Sequence, residues 1–211
     1  MIIHDIDQKT EQWQALRLGR ITGSIMHKFI TKNRKGDGFG ETALNAIYEL
    51  MAQRLTGIDE SPDLSNNQHI QRGHELEQRA IAEYEIETFN TVKQVGFIEI
   101  DDLVGGSPDG LVGDDGLIEV KCKNNAYHLR SIIDARNGII DKAHVIQMQF
   151  LMMITGRKWC DYVIYNENFL NSGEYKNLEI FRVEFDDSIA ENIKTTIDFV
   201  KKILHDPKTP D

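Results

Sequence analysis

"GGSPDGLVGDDGLIEVKCK" occupies residues 105–123 and decides how the chain folds. Its second half, "GLIEVKC" (116–122), is an apolar run of strand length bounded by turn residues. Side chains alternate faces along a strand, so Glu119 and Lys121 point to one side and Val120 to the other. Two charges therefore share a face in a segment that otherwise reads as buried. Upstream, Asp109 stands between Pro108, which fixes one torsion, and Gly110, which permits a turn. This presents the carboxylate where two strands approach each other, and Asp109 and Glu119 are expected to converge.

The pattern extends in both directions from this hairpin. From Thr91, "VKQVGFIEI" alternates, and "LVGGSPDGLV" and "GLIEVKC" follow at hairpin-like intervals, which predicts that an antiparallel sheet begins here. "WCDYVIYN" and "LEIFRVEF" add two more strands. "DQKTEQWQALRLGR" spaces Trp13, Leu16 and Leu18 as a helix and ends at Gly19. "TGS" offers Thr22 and Ser24 as caps for "IMHKFI", "GDGFG" (36–40) reads as a turn, and a helix is expected over roughly 41–56. Residues 61–71 read as an exposed loop, and "HELEQRAIAEYEIETF" returns to helical periodicity. A helical segment is expected around 126–136. "DKAHVIQMQFLMMITG" is apolar on nearly every side and predicts a buried helix. "DDSIAENIKTTIDFVKKIL" places Ile189, Ile193 and Ile197 one turn apart, and the tail after Pro207 is expected to be loose. The fold class is α/β, a mixed sheet flanked by helices with an N-terminal helical arm. The 211 residues are expected to form one domain, with residues 1–60 as its helical N-terminal part and 70–205 as its core.

A formal charge of -10 argues against coating nucleic acid through overall positive potential. Residues 8–36 nevertheless hold seven basic side chains (Lys9, Arg17, Arg20, Lys28, Lys32, Arg34, Lys35) against one acid, Glu11. Taken alone, such a patch is a solvated face. No apolar run reaches a bilayer span and no leader pattern opens the chain, so a cytoplasmic protein without membrane association is expected. Cys122 and Cys160 form no CxxC pair and are read as reduced core residues.

Two carboxylates side by side repel unless a cation lies between them, and oxygen donors suit magnesium or manganese rather than zinc. Lys121, on the same face, can orient or help deprotonate a metal-bound water, or balance phosphate charge in the transition state. That combination points to phosphodiester hydrolysis. Separately, a Pro-Asp-Gly turn and a solvent-facing Glu–Lys pair are each ordinary. Together, inside an apolar strand, they favour a metal site. Glu77 shares a helix face with Ala80, Ile81 and Tyr84, so its acid points inward and needs a partner. That partner is Arg72, Arg79 or a metal-bound water. Gln147 and Gln149 interrupt the apolar helix, either as satisfied amides or as holders of a water or phosphate oxygen near the metal. His144 is expected to be structural.

"WQALRLGRITGS", "RGHELE", "SPDGL…LIEVKC" and "AHVIQMQFLMMITG" occur in an order that resembles the phage lambda exonuclease family, the YqaJ-type viral recombinases, within the PD-(D/E)xK nuclease superfamily. The resemblance covers roughly residues 10–166 and implies a restriction-endonuclease-like core. It further implies a magnesium-dependent 5′-to-3′ exonuclease on double-stranded DNA, phage- or prophage-encoded and acting in a bacterial cytoplasm. Such an enzyme leaves 3′ single strands for recombination by annealing, works with a single-strand annealing protein and assembles as a homotrimeric ring. Manganese is expected to substitute, with two ions per site when DNA is bound.

By motif position, Asp109, Glu119 and the Val120 carbonyl resemble the metal ligands, Lys121 the catalytic lysine and Glu77 a supporting acid. Gln147 takes the family's glutamine position beside the attacking water, with Gln149 nearby. Arg17, Ser24 and Ser107 match 5′-phosphate-binding residues, with Thr22 adding a donor, so the pocket falls in the N-terminal part. Lys32, Arg34 and Lys35 are expected on the DNA backbone. His144 replaces a tyrosine of the lambda pattern. The alternatives are another nuclease of the superfamily, cutting internally or acting with a helicase, and a non-catalytic DNA-end-binding recombination scaffold.

Overall fold

The structure is a computed structural model and describes residues 1–32, 36, 38–60 and 68–205. Arg34, Lys35, residues 61–67 of the expected loop and the tail after Pro207 lie outside the described residues. Its elements in chain order are β1 (Ile2–His4), α1 (Glu11–Arg17), α2 (Gly23–Phe29), α3 (Glu41–Thr56), α4 (Gln68–Thr88), β2 (Val92–Lys93), β3 (Phe97–Glu99), β4 (Gly105–Gly106) and β5 (Gly110–Val112). There follow β6 (Gly116–Cys122), α5 (Asn125–Arg136), α6 (Lys142–Thr155), β7 (Trp159–Tyr165), β8 (Leu178–Glu184) and α7 (Asp187–His205). The main sheet runs β2-β5-β6-β7-β8. Only β6 and β7 are parallel in it, so the sheet is mixed as expected.

The period of two in β6 divides the core. Leu117 faces the same side as Cys160, Tyr162 and Ile164, where Met26, Ile47, Phe150, Met152, Ile193 and Ile197 pack. Ile118 and Val120 face the other side with Val163 and Tyr165, beneath Leu76, Ala80, Ile81 and Tyr84 of α4. Burying one such large side chain contributes about 1.5–3 kcal/mol. On the α4 side Asp161 is buried, accepting from the Tyr84 hydroxyl at 2.7 Å and from Arg182 at 2.9 and 3.0 Å. Burial, and then the bond to Asp161, raise the Tyr84 phenol above its ordinary value, so it remains a donor.

Helix ends follow local chemistry. Thr10 caps α1 by accepting from the Trp13 amide, and Gly19 takes the left-handed conformation just past its end (φ 66°). Asp141 caps α6 through the Ala143 amide at 2.8 Å. The N-terminal helical arm lies on the core, because Gly23 of α2 sits so near α6 that a Cβ there would be 3.3 Å from Phe150 and 3.4 Å from Gln147.

Two expectations change, and one strand is new. The alternating run at 92–100 is not one strand: β2 joins the main sheet, whereas β3 joins a second sheet ordered β1-β3-β4. The chain turns at Gly96, where a Cβ would stand 2.2 Å from the Ile6 carbonyl oxygen, so only glycine fits the crossing. β1 itself, three residues long, carries no period that would reveal it. Finally, residues 68–71 belong to α4 rather than to a loop. Among the described residues no helix is long and apolar enough to cross a membrane. Cys122 and Cys160 are both free, Cys160 buried and Cys122 half-buried.

Candidate active site

The β5–β6 register pairs Gly110 with Ile118 and so sets Asp109 beside the Glu119–Val120 peptide. Asp109 Oδ2 accepts from the Val120 amide at 2.7 Å. Glu119 is only 1% exposed, and its Oε1 accepts from Lys121 and, at 2.7 Å, from Gln147 Nε2. Its other oxygen, Oε2, is buried with no hydrogen-bond partner among the described residues. A bare carboxylate oxygen in that position is costly unless a cation or proton meets it. Burial first, then the charge of Glu119, push the Asp109 carboxyl well above the usual carboxylate range, with Lys121 opposing and Glu77 adding to the shift. Burial works against the Lys121 charge, but the Glu119 and Asp109 carboxylates outweigh it and raise the lysine above its ordinary value. Lys121 is therefore an ammonium at neutral pH, which favours charge balance over proton abstraction as its role.

His144 Nδ1 lies 3.0 Å from the Tyr162 hydroxyl. Burial, then Lys121 and Lys123, push the imidazole down to about 4, so it is neutral and structural. Among the described residues no three His, Cys, Asp or Glu side chains gather closely enough to form a ligand set by themselves. The donors on offer are two carboxylates and the neighbouring peptide. That is a sparse, all-oxygen set suited to a hard ion that keeps much of its water.

A second polar cluster adjoins the first. Arg17 donates to the Ser24 hydroxyl at 2.9 Å, and Ser24 lies 3.2 Å from the Thr22 hydroxyl. The Arg17 guanidinium stacks 4.3 Å from the centre of the Trp13 ring. Trp13 Nε1 in turn donates to Ser107 Oγ at 2.8 Å and to the Gly96 carbonyl at 3.1 Å, and the Ser107 hydroxyl donates to that same carbonyl at 2.7 Å. Arg17, Ser24, Thr22 and Ser107 thus come together across elements far apart in sequence. Burial, with Asp59 opposing, lowers Arg17 to about 10, which leaves it charged at neutral pH.

Residues 12–158 match the family model of the YqaJ-like viral recombinase domain. The chain belongs to that family. Among solved structures this YqaJ-family chain is similar to LHK-Exo, an alkaline exonuclease from Laribacter hongkongensis, at 36% identity and a TM-score of 0.78 over 93% of each chain. The same exonuclease in complex with dAMP gives 37% identity and a TM-score of 0.79, again over 93% of each chain. A phage-related exonuclease from Haemophilus somnus 129PT shares the fold, with a TM-score of 0.70 at 19% identity over 90% of this chain and 95% of that one. A search of curated proteins returns no significant match.

Several expected site residues sit differently in this YqaJ-family chain. Gln149 is corrected: it is 1% exposed, its amide donates to the Glu184 carbonyl at 2.8 Å and accepts from the Asp186 amide at 2.9 Å. Two residues along a helix is about 200° of turn, so the side chain faces the end of β8 and the start of α7, away from the face of Gln147. Glu77 pairs with neither Arg72 nor Arg79, which both reach Glu167 (3.8 and 2.5 Å), but with Lys9 at 3.2 Å. Thr22 begins α2 without a side-chain cap bond, its hydroxyl turning to Ser24. Of the basic patch, Arg20 pairs with Glu99 at 3.0 Å and Lys28 with Glu49 at 3.8 Å, so part of its charge is already matched.

Helical spacing alone assigns Trp13 no role beyond packing, and it singles out nothing at Gln8. Trp13 joins Arg17 to Ser107, while Gln8 donates to the carbonyls of Val95 and Pro108 at 2.9 and 3.0 Å. The spacing of Trp13 and Arg17, one helical turn, was the available signal for the first. Gln8 carried none.

Proposed function

We propose that the chain is a magnesium-dependent deoxyribonuclease that digests one strand of double-stranded DNA from the 5′ end and leaves 3′ single-stranded overhangs for recombination by annealing. The observation that carries this reading is that Asp109, Glu119 and Lys121 are held together at one hairpin, with Glu119 Oε2 buried and unpartnered among the described residues. Asp109 and Glu119, with the Val120 carbonyl, would hold Mg2+ or Mn2+. The bound ion supplies Lewis-acid activation of the phosphodiester and of the attacking water. Lys121 balances negative charge on the phosphate, and Gln147, its amide committed to Glu119, offers its other polar end to the attacking water.

Polarity follows from the second cluster. Arg17 presents a rigid fork, and Ser24, Thr22 and Ser107 present hydroxyls, to a terminal phosphate. Seating that phosphate sets the next phosphodiester at the carboxylates. LHK-Exo, known in complex with dAMP, binds a nucleoside monophosphate, the class of product that stepwise 5′ digestion releases. The enzyme acts in a bacterial cytoplasm as a homotrimeric ring, handing the 3′ strand to a single-strand annealing protein. A ring reconciles DNA binding with the acidic surface, since residual basic groups line the channel.

End-labelled linear duplex, with and without magnesium and with 5′-phosphate or 5′-hydroxyl ends, tests the reading. Magnesium-dependent loss of nucleotides from phosphorylated 5′ ends is expected. Digestion from 3′ ends, or equal rates on both termini, sinks it. A closed circular plasmid left intact separates it from an internal cutter.

A further inference from the structure

A cavity of about 360 Å3 opens between the end of β6 and α5, with Lys123, Tyr127, Arg130, Asp134, Asp141 and Tyr162 in its wall. Its size is at the low end for small-molecule sites and suits one nucleoside. Tyr162 on β7 is the register partner of Glu119 on β6 and shares its face of the sheet. One strand spacing, about 4.8 Å, therefore separates the cavity wall from the carboxylate. Hydrogen bonds fix the rest of the wall. Asn166, fully buried, donates to the Lys123 carbonyl at 2.9 Å and to Asn125 Oδ1 at 3.0 Å. Asn124 caps α5 by accepting from the Tyr127 amide at 3.1 Å, so the point where Tyr127 leaves the helix is set. The tyrosine itself is 60% exposed and offers its ring to whatever enters.

Cations and acids balance in the lining. Lys123 and Arg130 stand against Asp134, which lies 3.4 Å from Arg130 Nε, and Asp141, which caps α6. A bare phosphate gains little from such a wall, whereas a base and its sugar find an aromatic face and polar edges. The sheet order gives the direction of approach. Ser107, of the cluster proposed for the terminal phosphate, leads into β5 on one side of β6, and Tyr162 stands on β7 on the other. A strand with its 5′ phosphate at the first and its scissile phosphodiester at Asp109 and Glu119 continues toward the cavity. We propose that this cavity is the subsite for the nucleoside on the 3′ side of the bond that is cut, with its base stacked on Tyr127. The inference rests on the 5′-to-3′ nuclease reading. Stacking on an aromatic ring tolerates any base, so each nucleotide in turn is gripped as the enzyme advances.

Single-turnover release of the first nucleotide from 5′-phosphorylated duplex in magnesium tests this with wild type, Tyr127→Ala and Tyr127→Trp. Three substrates are compared: unmodified, abasic at the first nucleotide and abasic at the second. The rate ratio of unmodified to second-position-abasic duplex is expected to be about fivefold or more larger in wild type than in Tyr127→Ala, the low end of the worth of one stacked base. Tyr127→Trp keeps the wild-type ratio. Removing the first base is expected to change wild type and Tyr127→Ala by the same factor. Each ratio is taken within one variant, so it does not depend on how much of that variant is folded. Equal second-position ratios in wild type and Tyr127→Ala, or a difference at the first position instead, overturn the inference while the nuclease reading stands. Absence of 5′ nucleotide release by wild type overturns both.

Discussion

The Gln147 side chain on α6 donates a 2.7 Å hydrogen bond to Oε1 of Glu119 on β6, the same oxygen that accepts from Lys121. One oxygen of the carboxylate is thus held by two donors, and the other is left bare. The two bonds fix the rotamer of Glu119. Groups that orient a ligand in this way commonly matter about as much as 10- to 100-fold. Gln147→Leu is therefore expected to slow cleavage by about that factor with little change in KM for duplex ends, measured by steady-state digestion at saturating magnesium.

Asp109→Asn is expected to abolish cleavage and yet make the cation-free protein more stable at neutral pH. Burial and Glu119 raise Asp109 in the folded state, so between the unfolded value of about 3.9 and that raised value the folded chain holds the extra proton. Stability then falls as pH climbs through the window. Urea unfolding in chelator at several pH values should show that slope in wild type and a flatter one in the variant. Parallel slopes would remove Asp109 as its source.

Arg17→Lys keeps the charge but loses the fork and the stack on Trp13. The preference for 5′-phosphate over 5′-hydroxyl ends, as a ratio of kcat/KM, is expected to fall about 10-fold or more, the worth of a hydrogen bond to a charged group. An unchanged ratio would move the terminal phosphate elsewhere.

Gln149→Ala should leave DNA affinity unchanged and cost stability. It strips partners from the Glu184 carbonyl and the Asp186 amide, about 1–3 kcal/mol by the usual penalty for stranded buried groups. Chemical denaturation and duplex binding in the same preparation check both halves.

The catalytic hairpin was legible because period two is a hard constraint: once "GLIEVKC" is a strand, Glu119 and Lys121 share a face whatever packs on it. The same reasoning applied to α6 was available for Gln149, since two residues along a helix cannot share the face of Gln147. The Lys9–Glu77 pair was not legible, because nothing in "DQKT" announces a lysine in the left-handed conformation (φ 71°), and the contact spans 68 positions in sequence. Nor was the split between β2 and β3, where the alternation runs on unbroken and only Gly96 hints that the chain changes sheets.

β6 has one neighbour close by in the chain and one far off. β5 reaches it through a tight turn, whereas β7, its parallel mate, arrives only after two helices have been made. During synthesis the carboxylates can come together early, but β6, which carries Glu119, keeps an open edge until residues 159–165 emerge. Until then that edge is a row of unpaired backbone groups, the kind of template on which unfinished chains associate.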